Sequence, residues 1–330
     1  MAEFVSTFTT GFKKVVEKNL PEIVSGCKIL NIYDGIVHYK FNGNSHDLEK
    51  VVYFNNTFFV IKSWNNFCGN FSTMVNDFCS ENKYLLISKG SFRTRFVREN
   101  QFEKVDKKLV IKVEENVLKR SKLKIDRVSP STEIWFDIRR EGFAFCGQLI
   151  SKREFTEKNL NKGELRPELA YLMCCFAELK ENDVIAEPFC GYGSIPIQLV
   201  KKFRFLHLFV SDIDEEKITV LKEKKQFKQN DFVSVEVQDA FSLKQIKDNS
   251  VDVIISDPPW GYFEDVGDIS LFYDKMFCSF KRILKNDGKM IILSARKDEL
   301  EYAAEKNNYK IIEKVDTLVN GKKACVYMII

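Results

Sequence analysis

The chain is expected to be an α/β protein, with a seven-stranded, mostly parallel, doubly wound sheet in its second half and an α+β module in its first. Three observations carry this expectation. From residue 184 onward, short β-branched and aromatic runs alternate with longer charged amphipathic stretches, the pattern of strands feeding crossover helices. Before residue 150 no long run of such repeats exists, and strand-like and helix-like pieces follow one another irregularly. The 330 residues are 45% hydrophobic and 30% charged, enough for two or more cores and too balanced for a disordered chain.

In the first half, residues 10–25 pattern as one amphipathic helix and Lys28–Phe41 as two strands around Asp34-Gly35. Residues 51–80 add helical patterning, Tyr84–Ser88 and Phe92–Val97 read as strands, and Lys107–Lys119 as a basic helix. Ile134–Arg139 and Phe143–Ile150 form a hairpin around Glu141-Gly142, and the charged stretch 151–163 is the natural boundary between the halves. In the second half, strands are expected at Val184–Phe189, His207–Ile213, Val233–Val237, Val251–Ser256 and Lys289–Ser294. Helices are expected at Ser194–Phe203, Asp214–Lys228, Ser270–Lys285 and Asp298–Lys306. The last runs, Lys310–Val315 and Ala324–Ile330, meet through Asn320-Gly321, a hairpin signal that predicts an antiparallel pair closing one sheet edge.

Net charge is +4, too mild to announce nucleic acid, but it is unevenly spread. Residues 1–80 carry 7 basic and 7 acidic side chains, 81–160 carry 19 and 12, and 161–330 carry 25 and 28, so the excess sits in the middle segment. There Lys89, Arg93, Arg95, Arg98, Arg127, Arg139 and Arg140 are interleaved with Phe92, Phe96 and Trp135, which suits RNA phosphates with occasional stacking. Taken singly, each of these cations also suits a solvated face. The nine cysteines include no C-x-x-C pair and only three histidines accompany them, a poor zinc set; no metal is expected. With no secretory pattern at Met1–Phe8 and no long apolar run, a cytoplasmic location without membrane association is expected.

The chemistry-bearing segment is Glu187-Pro188-Phe189-Cys190-Gly191-Tyr192-Gly193-Ser194, a strand running into a glycine-rich turn that opens a helix. Glycines there let backbone approach a nucleotide-like ligand. Asp212 ends the next strand, 19 residues after Gly193, where a carboxylate meets vicinal ribose hydroxyls. Asp239 follows the third strand, placed to accept from an adenine amino group, and Asp214 reads as a helix N-cap. The fourth strand ends in Ser256-Asp257-Pro258-Pro259-Trp260-Gly261-Tyr262. Consecutive prolines force a rigid extended turn and offer carbonyls without competing donors. The Asp257 carboxylate and Pro258 carbonyl can accept both hydrogens of an exocyclic aromatic amine, aiming its lone pair at an electrophile, while Trp260 stacks on the base.

In this order, the glycine turn, the acids after strands two and three and the D-P-P-aromatic turn resemble class I S-adenosylmethionine-dependent methyltransferases acting on nucleic-acid amino groups. Leu165-Arg166-Pro167-Glu168-Leu169-Ala170 is similar to the RNA guanine-N2 methyltransferases that carry an N-terminal THUMP domain. Phe92-Arg93-Thr94-Arg95-Phe96 and Ile125–Ile134 resemble THUMP signatures, and Thr10-Gly11-Phe12 resembles the preceding ferredoxin-like subdomain. The resemblance implies a ferredoxin-like subdomain at 1–65, a THUMP domain at 66–152 that holds the tRNA acceptor end, and a Rossmann-like methyltransferase domain at 153–330. It implies S-adenosylmethionine on Arg166, Glu187, Phe189, Cys190, Gly191, Gly193, Ser194, Asp212, Ile213, Asp239, Ala240 and Asp257, with Asp257, Pro258, Pro259 and Trp260 as the catalytic turn. Where this family more often has Asp, Ser, Thr and Tyr or Phe, this sequence has Glu187, Tyr192, Ser194 and Trp260. The expected product is N2-methylguanosine in tRNA. Alternatives are guanine-N2 in rRNA, adenine-N6 in RNA or DNA, and a non-catalytic RNA-binding scaffold.

Overall fold

The computed structural model describes residues 1–81, 83–153, 160–161, 163–228, 230–262 and 266–330. Two compact units result: Met1–Phe8 with Val16–Glu154, and Thr9–Val15 with Phe155–Ile330. Of the expected boundary 151–163, residues 154–159 and 162 lie outside the described set. Among the described residues, no helix is long and apolar enough to cross a membrane.

The first unit runs β1 (Ala2–Thr7), α1 (Lys13–Ile23, shared with the second unit), β2 (Lys28–Tyr33), β3 (Ile36–Phe41), α2 (His46–Glu49), β4 (Asn56–Trp64) and α3 (Phe71–Ser80). It continues with β5 (Lys89–Arg98), β6 (Gln101–Phe102), α4 (Lys107–Arg120), β7 (Lys122–Ile125), β8 (Thr132–Ile138) and β9 (Ala144–Lys152). Its nine strands form one sheet in the order β2-β3-β1-β4-β9-β8-β5-β6, with β7 paired to β5. Both turns read from the sequence are present, at Asp34-Gly35 and Glu141-Gly142.

Two expectations are corrected here, and one strand is added. Within 51–80, only Phe71–Ser80 is a full helix; Asn56–Trp64 is a strand paired to both β1 and β9. Its run Phe58-Phe59-Val60-Ile61 is buried on both faces, which erases the period-two alternation that marks a half-buried strand. Tyr84–Ser88 is not a strand. Instead, the Gln148 side chain serves Ile87 as a strand neighbour would, accepting from Ile87 N at 2.9 Å and donating to its carbonyl at 2.7 Å. The strand β1 had no counterpart in the sequence reading.

The second unit runs α5 (Pro167–Phe176), β10 (Val184–Glu187), α6 (Ser194–Lys202), β11 (His207–Asp212), α7 (Glu215–Glu223), β12 (Val233–Val237) and β13 (Val251–Ser256). It ends with α8 (Ile269–Ile283), β14 (Leu284–Ser294), α9 (Lys297–Lys306), β15 (Ile311–Val319) and β16 (Lys322–Ile329). The order β12-β11-β10-β13-β14-β16-β15 is parallel except for β16, which runs antiparallel to both neighbours. This is the Rossmann-like, seven-stranded methyltransferase architecture expected above. Asn320 and Gly321 both take positive φ, 51° and 78°, the geometry a two-residue hairpin needs. The helix expected over Asp214–Lys228 stops at Glu223 because Lys224 turns extended (ψ 135°).

One core lies where α8 and α9 cover the sheet: Tyr273, Met276, Phe277, Phe280 and Leu300 pack with Ile254, Met290, Ile292 and Tyr327. The segment 9–15 rests on β15, with the Thr317 hydroxyl donating to the Thr10 carbonyl at 2.9 Å. Gly11 (φ +93°) makes this approach possible, since a methyl group there would lie 2.0 Å from the Asp316 carbonyl oxygen. Neither backbone can yield cheaply, so Gly11→Ala is expected to cost about 3 kcal/mol or more in thermal unfolding. A loss below about 1 kcal/mol would show that the segment does not hold this contact.

Candidate active site

Strand order reverses at β10, with β11 on one side and β13 on the other, so a crevice opens at the carboxyl ends of these strands. Parallel pairing brings every strand-end motif to that one edge. Glu187 closes β10 and is 1% exposed. Its Oε1 accepts from Phe189 N at 3.0 Å and from the Ser256 hydroxyl at 2.7 Å, tying the glycine turn to the end of β13. Its buried Oε2 has no hydrogen-bond partner among the described residues. Burial drives the Glu187 carboxyl well above its ordinary range, and the nearby Asp257 and Asp212 push the same way. A cationic group seated at Oε2 would reverse that shift and satisfy the atom.

The turn itself is held from inside. Cys190 N donates to the Ser211 carbonyl at 3.0 Å and Gly193 N to the Cys190 carbonyl at 2.8 Å. Gly193 caps α6 in the left-handed region (φ 89°, ψ 26°), and Ser194 opens the helix. Gly191 (φ 51°) faces space that holds no atom within 4 Å of where a side chain would begin. That is a cradle only glycine leaves open. The Cys190 thiol is buried and pushed well above its ordinary range by desolvation, which makes it an inert packing group. The Phe189 ring packs on Phe272 at 5.7 Å, so this residue serves the turn through its backbone.

Asp212 accepts from Gly191 N at 2.8 Å through one oxygen and from Asp214 N at 3.0 Å through the other, leaving lone pairs on both for hydroxyls. Ile213 beside it is 73% exposed, a large apolar surface at the crevice edge that suits the face of a base. Asp214 is the N-cap of α7, accepting from Glu216 N and Lys217 N. Asp239 accepts from Phe241 N at 2.9 Å, and Ala240 is buried behind it. Arg166 opens α5 and pairs with the buried Glu168. The glycine turn, Asp212, Glu187 and Ser256 form one hydrogen-bonded group; Arg166 and Asp239 are not bonded into it among the described residues.

Asp257 follows Ser256 directly. Its Oδ1 is sealed from solvent without a hydrogen-bond partner among the described residues, as is the Trp260 indole Nε1. Burial raises the Asp257 carboxyl to about 7, opposed by the neighbouring Trp260 indole. No bond of ordinary geometry joins the two, so both polar atoms await a partner. Pro258 is buried and Pro259 half-buried, as a rigid turn between them requires. The residues that sequence reasoning missed stand around this turn: Ser256, Tyr273, Ser294 and Arg296, brought in by strand ends and helix packing. Their place at the end of β14 (Ser294) and two residues past it (Arg296), at the same sheet edge, was the one available signal for these two. No group of three His, Cys, Asp or Glu among the described residues is arranged to hold a metal.

The basic residues assigned to RNA separate by burial. Arg139 is 6% exposed, bonded to Asn100 and 3.7 Å from Glu141, so it cannot reach a phosphate and is corrected to a structural role. Arg93 is likewise spent, on Glu133 and on the carbonyls of Arg127 and Val128. Arg95 lies over the exposed Phe102 ring at 4.8 Å, whereas Arg98 leaves the other face of β5, over Phe71 and paired to Glu103. Arg127 binds Glu114 through one nitrogen at 2.9 and 2.8 Å yet stays largely exposed. Lys89 and Arg140 are exposed.

Residues 153–327 match the family model for the RMKL-like methyltransferase domain, UPF0020. Over 141 residues, 41% of this chain and 83% of the relative, the sequence is 32% identical to a probable tRNA (guanine(10)-N2)-dimethyltransferase of Methanothermococcus thermolithotrophicus. Over 252 residues, 63% of this chain and 66% of the relative, it is 23% identical to a tRNA (guanine(6)-N2)-methyltransferase of Methanocaldococcus jannaschii. Among solved structures, TrmN from Thermus thermophilus superposes with a TM-score of 0.82 at 18% identity, covering 100% of this chain and 99% of that one, a likeness of fold.

Proposed function

The chain belongs to the family of RMKL-like methyltransferase domains, UPF0020, and from that membership we propose that it transfers a methyl group from S-adenosylmethionine to the 2-amino group of a guanine in tRNA. Its two named relatives are tRNA guanine-N2 enzymes. The observation that carries the reading is the Asp257–Trp260 turn, set beside the buried Glu187 carboxyl, whose Oε2 has no partner among the described residues, at the strand-order switch.

The residues present fit the cofactor. Glu187 Oε2 would take its ammonium, the Gly191 cradle its main chain, Asp212 its ribose hydroxyls, and Ile213 the face of its adenine beside Asp239. When bound, it supplies an electrophilic sulfonium methyl. The protein's own work is to flip the base into the crevice, stack it on Trp260, and accept its amine hydrogens on Asp257 and the Pro258 carbonyl. Accepting those hydrogens turns the nitrogen lone pair out of ring conjugation and aims it in line, so positioning supplies most of the acceleration. With the cofactor bound, its methyl would pass from sulfur to the guanine nitrogen, and the surplus amine proton would go to Asp257 or water.

We read residues 1–65 and 66–152 as the ferredoxin-like and THUMP parts that hold the tRNA acceptor end, and the protein as cytoplasmic. We read Lys89 and Arg140, both exposed, as the first basic residues to test for phosphate contact, with the largely exposed Arg127 beside them in the same reading. Lys89→Glu with Arg140→Glu is expected to weaken tRNA binding and flatten the slope of log affinity against log salt by about 1–2. An unchanged slope, measured by filter binding, would assign the patch to solvation.

The deciding experiment incubates purified protein with labelled S-adenosylmethionine and bulk tRNA or rRNA and identifies the modified nucleoside by mass spectrometry. N2-methylguanosine in tRNA is expected. N2-methylguanosine in rRNA alone would change the substrate, and N6-methyladenosine would reject the base assignment.

A further inference from the structure

Arg296 follows β14 and lies outside every residue set assigned above. Its Nε donates to the Trp260 carbonyl at 3.0 Å, and its guanidinium lies 4.5 Å from the centre of the Tyr262 ring. Between those two anchor points sits Gly261, with a φ of +71°. The arginine is itself fixed. Its Nη1 is 3.7 Å from Glu299, and its backbone N–H donates to the Ser294 hydroxyl at 2.8 Å, which in turn meets the buried Tyr273 hydroxyl at 2.8 Å. Lys322 adds a second cation 3.7 Å from the Tyr262 ring centre, and that ring is 44% exposed.

The same turn carries two buried polar atoms without a hydrogen-bond partner among the described residues, Asp257 Oδ1 and Trp260 Nε1. At these two atoms no such bond fixes the carboxylate or the indole. Arg296 tethers the turn on each side of Gly261, at the Trp260 carbonyl and at the Tyr262 ring. A guanidinium suits this role, because its plane can stack on a ring while its edge donates to a carbonyl; an ammonium does one or the other.

We infer that Arg296 is a positioning residue for methyl transfer, locking the Asp257–Tyr262 turn through the Trp260 carbonyl and the Tyr262 ring. The inference rests on the function proposed above. It predicts that replacing Arg296 damages the chemical step far more than cofactor affinity.

The test uses full-length Arg296→Lys, Arg296→Met and Arg296→Ala with four readouts: cofactor affinity by calorimetry, kcat and KM on tRNA, rescue by added guanidinium, and acrylamide quenching of Trp260. The last is read with Trp64 and Trp135 replaced by Phe. Cofactor affinity is expected to stay within about twofold, kcat to fall about 30–100-fold and KM to move less than about threefold. Millimolar guanidinium should restore part of the Arg296→Ala rate, and Trp260 should become more quenchable in all three variants. A kcat within about threefold of wild type, or a loss carried wholly by KM, overturns the inference. If the wild-type protein methylates no RNA, the functional reading fails instead, and quenching alone decides: a rise supports the lock and no change overturns it.

Discussion

Replacing Asp257 by alanine is expected to slow methyl transfer by at least about 1000-fold while changing cofactor affinity by less than about threefold. The carboxylate is the turn's only charged acceptor, and among the described residues its Oδ1 has no partner to compete with an amine. Alanine leaves the amine fully conjugated, so the nucleophile itself is weakened. Single-turnover rates with calorimetric cofactor titration check both halves, and full activity in the variant would sink the assignment.

The same carboxyl gives a pH signature. Burial holds it at about 7 in the free protein, so kcat/KM should rise as pH passes from 6 to 8 and then level off. A bound sulfonium would favour the carboxylate, so the inflection in kcat should fall at a lower pH. Stability runs the opposite way. A carboxyl raised above its unfolded value binds its proton more tightly in the folded state, so its contribution is full below about pH 4 and is lost as pH rises through about 7. Asp257→Asn should therefore match wild type in thermal unfolding at pH 4 and exceed it at pH 8 by about 1–2 kcal/mol, allowing for partial solvent contact. A flat kcat/KM profile between pH 6 and 8 would remove Asp257 from the reacting group.

The second large effect separates two glycines two residues apart. At Gly193 an added methyl would lie 2.4 Å from the Leu221 side chain, in a backbone with φ +89°. Gly193→Ala should therefore lose about 2–4 kcal/mol of stability and, with the start of α6 displaced, its cofactor affinity. At Gly191 nothing stands within 4 Å, so an alanine pays only for the left-handed backbone, about 1 kcal/mol. It would nevertheless fill the cradle, and cofactor binding should weaken about 10–100-fold in a protein that still folds. Unfolding curves and calorimetry on both variants measure the contrast. Wild-type affinity in Gly191→Ala would move the cofactor elsewhere.

The catalytic half was legible because each of its signals is local. The β10 turn, Asp212 nineteen residues past Gly193, and the prolines after β13 are all strand-end features, and parallel pairing then gathers strand ends at one edge. What escaped depends on partners distant in sequence. β4 is covered on both faces and carries no alternation, and Tyr84–Ser88 has strand-like residues whose partner is the Gln148 side chain. The charges of Arg93 and Arg139 were visible, but the Glu133 and Asn100 that occupy them were not. Arg296 was missed for the same reason, since its role exists only once β14 stands beside β13.

The contact between Thr10 and Thr317 joins residues 307 apart. A chain made from its amino end at roughly 5–20 residues per second leaves residues 9–15 waiting about 15–60 seconds before β15 exists. Throughout that interval Phe12, fully buried in the finished protein, has no permanent seat. Residues 9–15 are thus among the last parts of the catalytic unit to settle, since their seat forms only once β15 is present.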